Sequence, residues 1–219
     1  AAEPEILLLD DPFSALDHQV RERLRQELVA IHERFPITTL LITHDMEDAF
    51  MLGERIAVIN NGKLEQFGTR EEVFYKPKTR NVAKFIGARN IFHGIIKSID
   101  NNGVVIESKD IGTIKAQTNP GDKLNVGQNV CFGIRPEEIM IIRPDRPLDK
   151  RVQDNLIQGI VTGIMARGTG YTIYFASKSA PDVNLKIDIP NIAFRRLAIS
   201  KNKEIIVSLK KECIWVVNE

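Results

Sequence analysis

Two neighbouring carboxylates, Asp10 and Asp11, follow the aliphatic run Ile6-Leu7-Leu8-Leu9, and His44 follows a second run, Thr39-Leu40-Leu41-Ile42-Thr43. One such carboxylate can hold Mg²⁺ through its hard oxygens, and its neighbour can orient water against a phosphate. Four aliphatic residues with no polar alternation predict a strand buried on both faces of a parallel sheet. Ligands of open α/β sheets gather outside the carboxyl ends of their strands. Asp10 and Asp11 stand where the first strand runs out, and His44 stands where the second does. The plainer reading of the carboxylates is a strand end leading into a turn, and that of His44 is a structural histidine.

The residues that follow sharpen this pattern. The run Leu7 to Asp17, LLLDDPFSALD, resembles the Walker B strand and D-loop of ABC transporter ATPases, and Thr39 to Asp45 resembles their H-loop. The resemblance implies the C-terminal half of a P-loop ATPase domain, α/β in class, with ATP and Mg²⁺ as cofactors. It implies that Asp10 is the metal-side carboxylate, acting through water, and that Asp11 orients the attacking water. Ser14 to Asp17 would form the D-loop, with Ser14 and Asp17 at the nucleotide, and His44 would be the histidine that senses the γ-phosphate. The family usually has Glu where this chain has Asp11, whose carboxylate reaches about 1.5 Å less far. A misplacement of that size can cost about 100-fold in rate.

The phosphate-cradling pattern G-x-x-x-x-G-K-[ST] does not occur in these 219 residues, nor do the family's Q-loop and LSGGQ-type signature. In the family all three lie upstream of Walker B. Ala1-Ala2-Glu3-Pro4 reads as the tail of the helix after the signature, so the chain reads as a C-terminal part that is inactive by itself.

Between the two strands, Val20, Leu24, Leu28 and Ile31 recur at helical spacing, with Arg21, Glu22, Arg25 and Glu33 on the other face, and the charged run Arg21-Glu22-Arg23 reads as solvated. This helix runs to about Arg34, with Asp17 as its N-cap and Pro36 as its stop. Asp45 caps a short helix from Met46 to about Leu52, ended by Gly53. Arg55–Ile59 and Lys63–Phe67 flank Asn60-Asn61-Gly62, a hairpin signal. Thr69-Arg70-Glu71-Glu72 is a capping box for a helix closed by Pro77. Asn81 to Ile86 form another helix, ended by Gly87.

From about Ile91 the pattern changes to strands: Gly94–Ile99, Val104–Glu107, Thr113–Ala116, Asn129–Ile134 and Glu138–Ile142. Asn102-Gly103, Pro120-Gly121 and Val126-Gly127 punctuate them. Arg143 to Arg151 reads as a linker. A second series follows: Leu156–Ala166, Tyr171–Ala176, Asn184–Ile189, Lys203–Leu209 and Cys213–Val217. Two similar halves of short strands predict an all-β tandem OB-fold. Gly133-Ile134-Arg135-Pro136-Glu137-Glu138 resembles the signature of the TOBE regulatory domain, and Asn155 to Gly159 opens the second half in keeping with it. The expected domains are therefore 1–87, part of the nucleotide-binding domain, and 88–219, a TOBE-type domain whose two lobes split near 143–154.

The resemblance implies the ATP-binding subunit of an importer. Its partners would be a second copy of itself and transmembrane permease subunits, and its place the cytoplasmic face of the membrane, as a peripheral subunit. Short halves and the finish Lys-Lys-Glu-Cys-Ile-Trp-Val-Val look most like the molybdate/tungstate class; polyamine, iron(III), sulfate and sugar importers share the architecture. A regulatory oxyanion would need backbone donors and a cation, for which Arg167 and Thr169 are the first candidates and Lys178 and Ser179 the second. The plainer reading of Arg167 to Gly170 is a hairpin turn.

Composition sets bounds on the alternatives. A net charge of +1, with 6% aromatic residues, argues against an OB-fold module that binds nucleic acid. A purely structural dimerisation module is the other rival. Cys131 and Cys213 sit in apolar runs without a C-x-x-C pair and read as reduced core residues.

Overall fold

The computed structural model describes residues 5–218 apart from 36, 102, 119–122, 144, 146 and 148–151. The Ala1–Pro4 tail, the Pro36 stop, Asn102, the Pro120–Gly121 turn and most of the 143–151 linker lie outside the described residues. The chain forms two compact units, Ala1–Phe74 and Tyr75–Glu219.

In the first unit, β1 (Ile6–Asp10) pairs in parallel with β2 (Thr38–Ile42), and α1 (His18–Arg34) connects them. Asp17 caps α1, accepting from the Gln19 and Val20 amides at 3.0 Å each. α2 (Met46–Leu52) starts at its Asp45 cap and ends at Gly53, whose backbone is extended rather than left-handed. Glycine is needed there for close approach: an added Cβ would lie 2.8 Å from the Ala49 carbonyl oxygen. β3 (Arg55–Asn60) and β4 (Lys63–Thr69) form the expected hairpin, with Asn61 and Gly62 both at positive φ. At α3 (Arg70–Tyr75) the capping box closes in both directions. The Glu72 amide donates to Thr69 Oγ1 at 3.2 Å, and the Thr69 amide donates to Glu72 Oε2 at 2.9 Å.

Two expectations about this unit need correction. β1 is not buried on both faces: Ile6, Leu8, Leu40 and Ile42 are 57–70% exposed, because β1 and β2 form a two-stranded sheet with one open face. The charged face of α1 is not solvated throughout either. Val20 and Ile31 are exposed, while Arg25 is the side chain that α1 buries. α1 packs on α2 through ion pairs there.

The second unit is mostly β-sheet. α4 (Arg80–Phe85) leads it, and Ala83 packs with Ala88, Cys131, Trp215 and Val217. That packing joins α4 to the second unit, which begins at Tyr75, whereas the boundary read from the sequence is 87/88. The first strands are β5 (Asn90–Asp100), β6 (Gly103–Ser108), β7 (Gly112–Ala116), β8 (Asn129–Ile134) and β9 (Ile139–Ile141). After them come β10 (Leu156–Arg167), β11 (Gly170–Ser177), β12 (Asn184–Pro190), α5 (Asn191–Leu197), β13 (Glu204–Leu209) and β14 (Trp215–Asn218).

One sheet has the order β14-β8-β5-β6-β7 and the other β9-β13-β10-β11-β12. The two orders are the same repeat with its last strand exchanged. β9 pairs with β13, and β14 returns to β8, so the 143–154 split in sequence is crossed twice in space. A single core spans both sheets, including Phe132, Ile106 and Ile134 from one and Phe175, Ile187 and Val207 from the other. Each such buried side chain contributes about 1.5–3 kcal/mol. Asn90 and Asn155 hold equivalent places. Asn90 exchanges two hydrogen bonds with the Lys186 backbone on β12, both at 2.8 Å. Asn155 does the same with Lys115 on β7, both at 2.7 Å. Each side chain thus pairs the edge strand of the opposite sheet, which would otherwise present open backbone groups.

Candidate functional site

The parallel register sets the site. Asp10 lies opposite Ile42, so the two strands end side by side, and the Asp11 amide donates to the Ile42 carbonyl at 2.7 Å. Asp11 has φ +45°, a left-handed conformation in which Asp is better tolerated than most residues. The chain turns there: Ser14 Oγ donates to the Asp11 carbonyl at 3.0 Å and the Ser14 amide at 3.3 Å. This turn carries the carboxylate back over β2, and His44 Nδ1 lies 3.0 Å from Asp11 Oδ2. The His44 side chain is 75% exposed and that of Asp11 35%. Asp10 is exposed at the end of β1.

Asp11 and His44 therefore meet at one end of the β1–β2 pair, where Asp10 ends β1 and Ser14 braces the turn. Asp17 is engaged as the α1 cap. Among the described residues no group of three or more His, Cys, Asp or Glu forms a metal cage. The exposed Asp10 carboxylate suits a cation such as Mg²⁺, which takes one or two carboxylates and completes its shell with water and phosphate oxygens. A carboxylate beside an imidazole can accept a proton and keep its charge paired.

A charged network missed by the sequence reading lies beneath the site. Arg25 is 1% exposed and Asp48 2%. Arg25 Nε donates to Asp48 Oδ1 at 2.5 Å, and its Nη1 donates to Glu22 at 2.5 Å and Glu47 at 2.9 Å. Burial works against the charged guanidinium, but the hydrogen bonds to Glu22, Asp48 and Glu47 outweigh it and hold the pKa above the usual range. Thr43 Oγ1 donates to Asp48 Oδ2 and accepts from the Asp45 amide, both at 3.0 Å. Arg21 Nη1 reaches Asp45 Oδ2 at 3.3 Å. The available signal was charge complementarity: arginines at positions 21 and 25 of one helix, and acids at 45, 47 and 48 opening the next.

In the second unit, the Arg167–Gly170 segment is the tip of the β10–β11 hairpin, with Arg167 paired to Gly170 and Arg167 and Thr169 exposed. Lys178 and Ser179 lie beyond the other end of β11, roughly 25 Å away along an extended strand. The two pairs of oxyanion candidates are thus not brought together. Lys178 Nζ meets Glu204 at 3.2 Å, and Ser179 Oγ lies 2.8 Å from Ser177 Oγ. They border a cleft of about 340 Å³ that Thr113, Asn155 and Gln158 also line. Arg135 donates to Glu137 at 2.6 Å and to the Ile86 carbonyl at 3.0 Å, closing the C-terminal end of α4. Burial, then Glu138, pushes the Cys213 thiol up to about 12.

Known proteins resemble the chain along most of its length. It is 33% identical over 189 residues to the spermidine/putrescine import ATP-binding protein PotA of Trichormus variabilis, covering 86% of this chain and 48% of that protein. It is 32% identical over 217 residues to the sulfate/thiosulfate import ATP-binding protein CysA of Bacillus cereus, covering 99% of this chain and 56% of that protein. Its homologues are import ATP-binding subunits. The chain spans about half the length of these curated relatives. No protein-family model matches it. Among solved structures, the cytoplasmic molybdate-binding protein ModG, with molybdate bound, matches with a TM-score of 0.52 at 14% identity. That match covers 60% of this chain and 96% of ModG. The likeness is one of fold, and only the second unit is long enough to carry it; its two five-stranded sheets fit an OB-type all-β domain. No helix among the described residues is long and apolar enough to cross a membrane.

Proposed function

We propose that the chain is part of the ATP-hydrolysing subunit of an ABC importer, with its first unit belonging to a P-loop ATPase domain and its second to a TOBE-type regulatory domain. The observation that carries this reading is the Asp11–His44 couple beside Asp10, at the shared carboxyl end of two parallel strands. The CysA relative matches over 99% of the chain, these residues included. The phosphate-loop pattern does not occur in these 219 residues and the relatives are about twice as long, so hydrolysis is assigned to a protein of the relatives' length that carries such a loop. The open apolar face of β1 and β2 fits a sheet that a further layer covers.

In this reading ATP brings the scissile phosphate and Mg²⁺ offsets its charge. Asp10 would hold the cation's water shell. Asp11 Oδ2 would orient the attacking water and draw on its proton, with His44 Nδ1 fixing that carboxylate's direction. Ser14 would keep the turn closed and Asp17 would hold α1 in register. A second copy and the permease subunits would complete the assembly at the cytoplasmic face of the membrane.

Cargo is read by the permease rather than by these residues, so the relatives' names divide it between polyamines and sulfate/thiosulfate. Molybdate rests on a likeness of fold. Uptake of labelled putrescine, sulfate and molybdate in cells that lack the gene, with and without its return, separates the three. In the purified natural gene product, His44→Ala should lower ATP turnover about 100-fold. Turnover at the wild-type rate would contradict the site.

A further inference from the structure

We infer that Arg25 and Asp48 are positioning residues for His44, acting through the hydroxyl of Thr43. This rests on the reading of Asp11 and His44 as the hydrolytic couple. With 75% of its side chain open to water, His44 is not aimed by packing, so its direction comes from the backbone on either side. The Thr43 hydroxyl fixes both sides at once. It accepts from the Asp45 amide and donates to Asp48 Oδ2, each at 3.0 Å, so the residues before and after His44 share one anchor. Asp48 in turn accepts from Arg25 Nε at 2.5 Å. Asp45 caps α2 with one oxygen and meets Arg21 with the other.

Arg25 and Asp48 are both nearly inaccessible, and their ion pair, with the Thr43 hydroxyl on Asp48, ties α1, α2 and the residue before His44 together. A network that only clamped α1 to α2 would need no hydroxyl at position 43. The Thr43 link is therefore what separates a positioning role from a structural one.

The imidazole itself supplies the readout. To donate from Nδ1 to the Asp11 carboxylate, neutral His44 must carry its proton on Nδ1, whereas a freely solvated histidine favours Nε2. Two-bond proton–nitrogen spectra of the chain at mildly alkaline pH distinguish the two tautomers, with His44 assigned by its loss in His44→Gln. The Nδ1–H form is expected in the wild-type chain. Thr43→Val, and the double variant Arg25→Met/Asp48→Leu, should shift His44 to the Nε2–H form, and Thr43→Ser should restore Nδ1–H. Thr43→Val leaves the buried ion pair in place, so the test stands even if the double variant does not fold.

In the natural gene product, Thr43→Val should lower kcat about tenfold or more, with KM for ATP changed less than about twofold. An unchanged tautomer and an unchanged kcat in Thr43→Val overturn the positioning role alone. An Nε2–H wild type overturns the Asp11–His44 couple itself, and the inference falls with it.

Discussion

Replacing Arg25 by Met should be among the most destabilising single changes available in the first unit. The substitution keeps an unbranched stem and removes the guanidinium, which leaves Asp48 buried, 2% exposed, with the Thr43 hydroxyl as its remaining side-chain donor. Breaking a buried pair by deleting one partner costs about 3–5 kcal/mol. The Glu22 and Glu47 contacts add little, since those side chains are 35% and 64% exposed and their attraction is screened. Removing both charges together, in Arg25→Met/Asp48→Leu, should recover most of the loss, because an apolar pair of similar volume carries no desolvation penalty.

The two units can be followed separately. Trp215, the single tryptophan, lies in the second unit, while most of the helix, in α1, α2 and α3, lies in the first. Urea unfolding of Arg25→Met should therefore move the circular-dichroism transition and leave the Trp215 fluorescence transition in place. Loss of the helical signal without denaturant is the limiting case of the same result. A shift below about 1 kcal/mol in the single variant, or a double variant no more stable than the single one, would mean that the buried pair does not hold the unit together.

At Asp11, where φ is +45°, Asp11→Gly should be neutral or stabilising and Asp11→Val should cost about 1–2 kcal/mol, read from thermal unfolding of the first unit. Thr69→Ala removes one arm of the α3 capping box and should cost about 1 kcal/mol by the same measurement. Cys213 has its folded pKa raised from 9.0 to about 12, so stability linked to that thiol is complete below about pH 9 and lost as pH rises towards 12. In a Cys131→Ser background, Cys213 should therefore react with iodoacetamide at pH 8 far more slowly than free cysteine, and Glu138→Gln should speed it.

Much of this fold was legible locally. Asp45 as a cap, Asn61-Gly62 as a hairpin turn and the Thr69–Glu72 box each act within three or four residues, and each appears as expected. The placement of Asp10, Asp11 and His44 at or just past strand ends was legible for a related reason: a strand end is marked by the residue type at which an aliphatic run stops. Three features depended on distant partners. The exposed side chains of Ile6 and Leu8 look in sequence like those of a central strand, because the pattern does not reveal how many neighbours a strand has. Arg25 looks like a surface residue until α2 brings Asp48 against it. The exchange of β9 and β14 leaves the strand pattern unchanged, since a strand has the same alternation in either sheet.

The central claim is that Asp11 orients the water for ATP hydrolysis, and the most direct measurement is single-turnover hydrolysis by the natural gene product with Asp11→Asn. The side chain keeps its size and tolerates the same backbone conformation, but loses the charge that accepts the proton. Hydrolysis should be slower by about 100-fold or more, with ATP affinity unchanged. Hydrolysis by Asp11→Asn at the wild-type rate would contradict the claim.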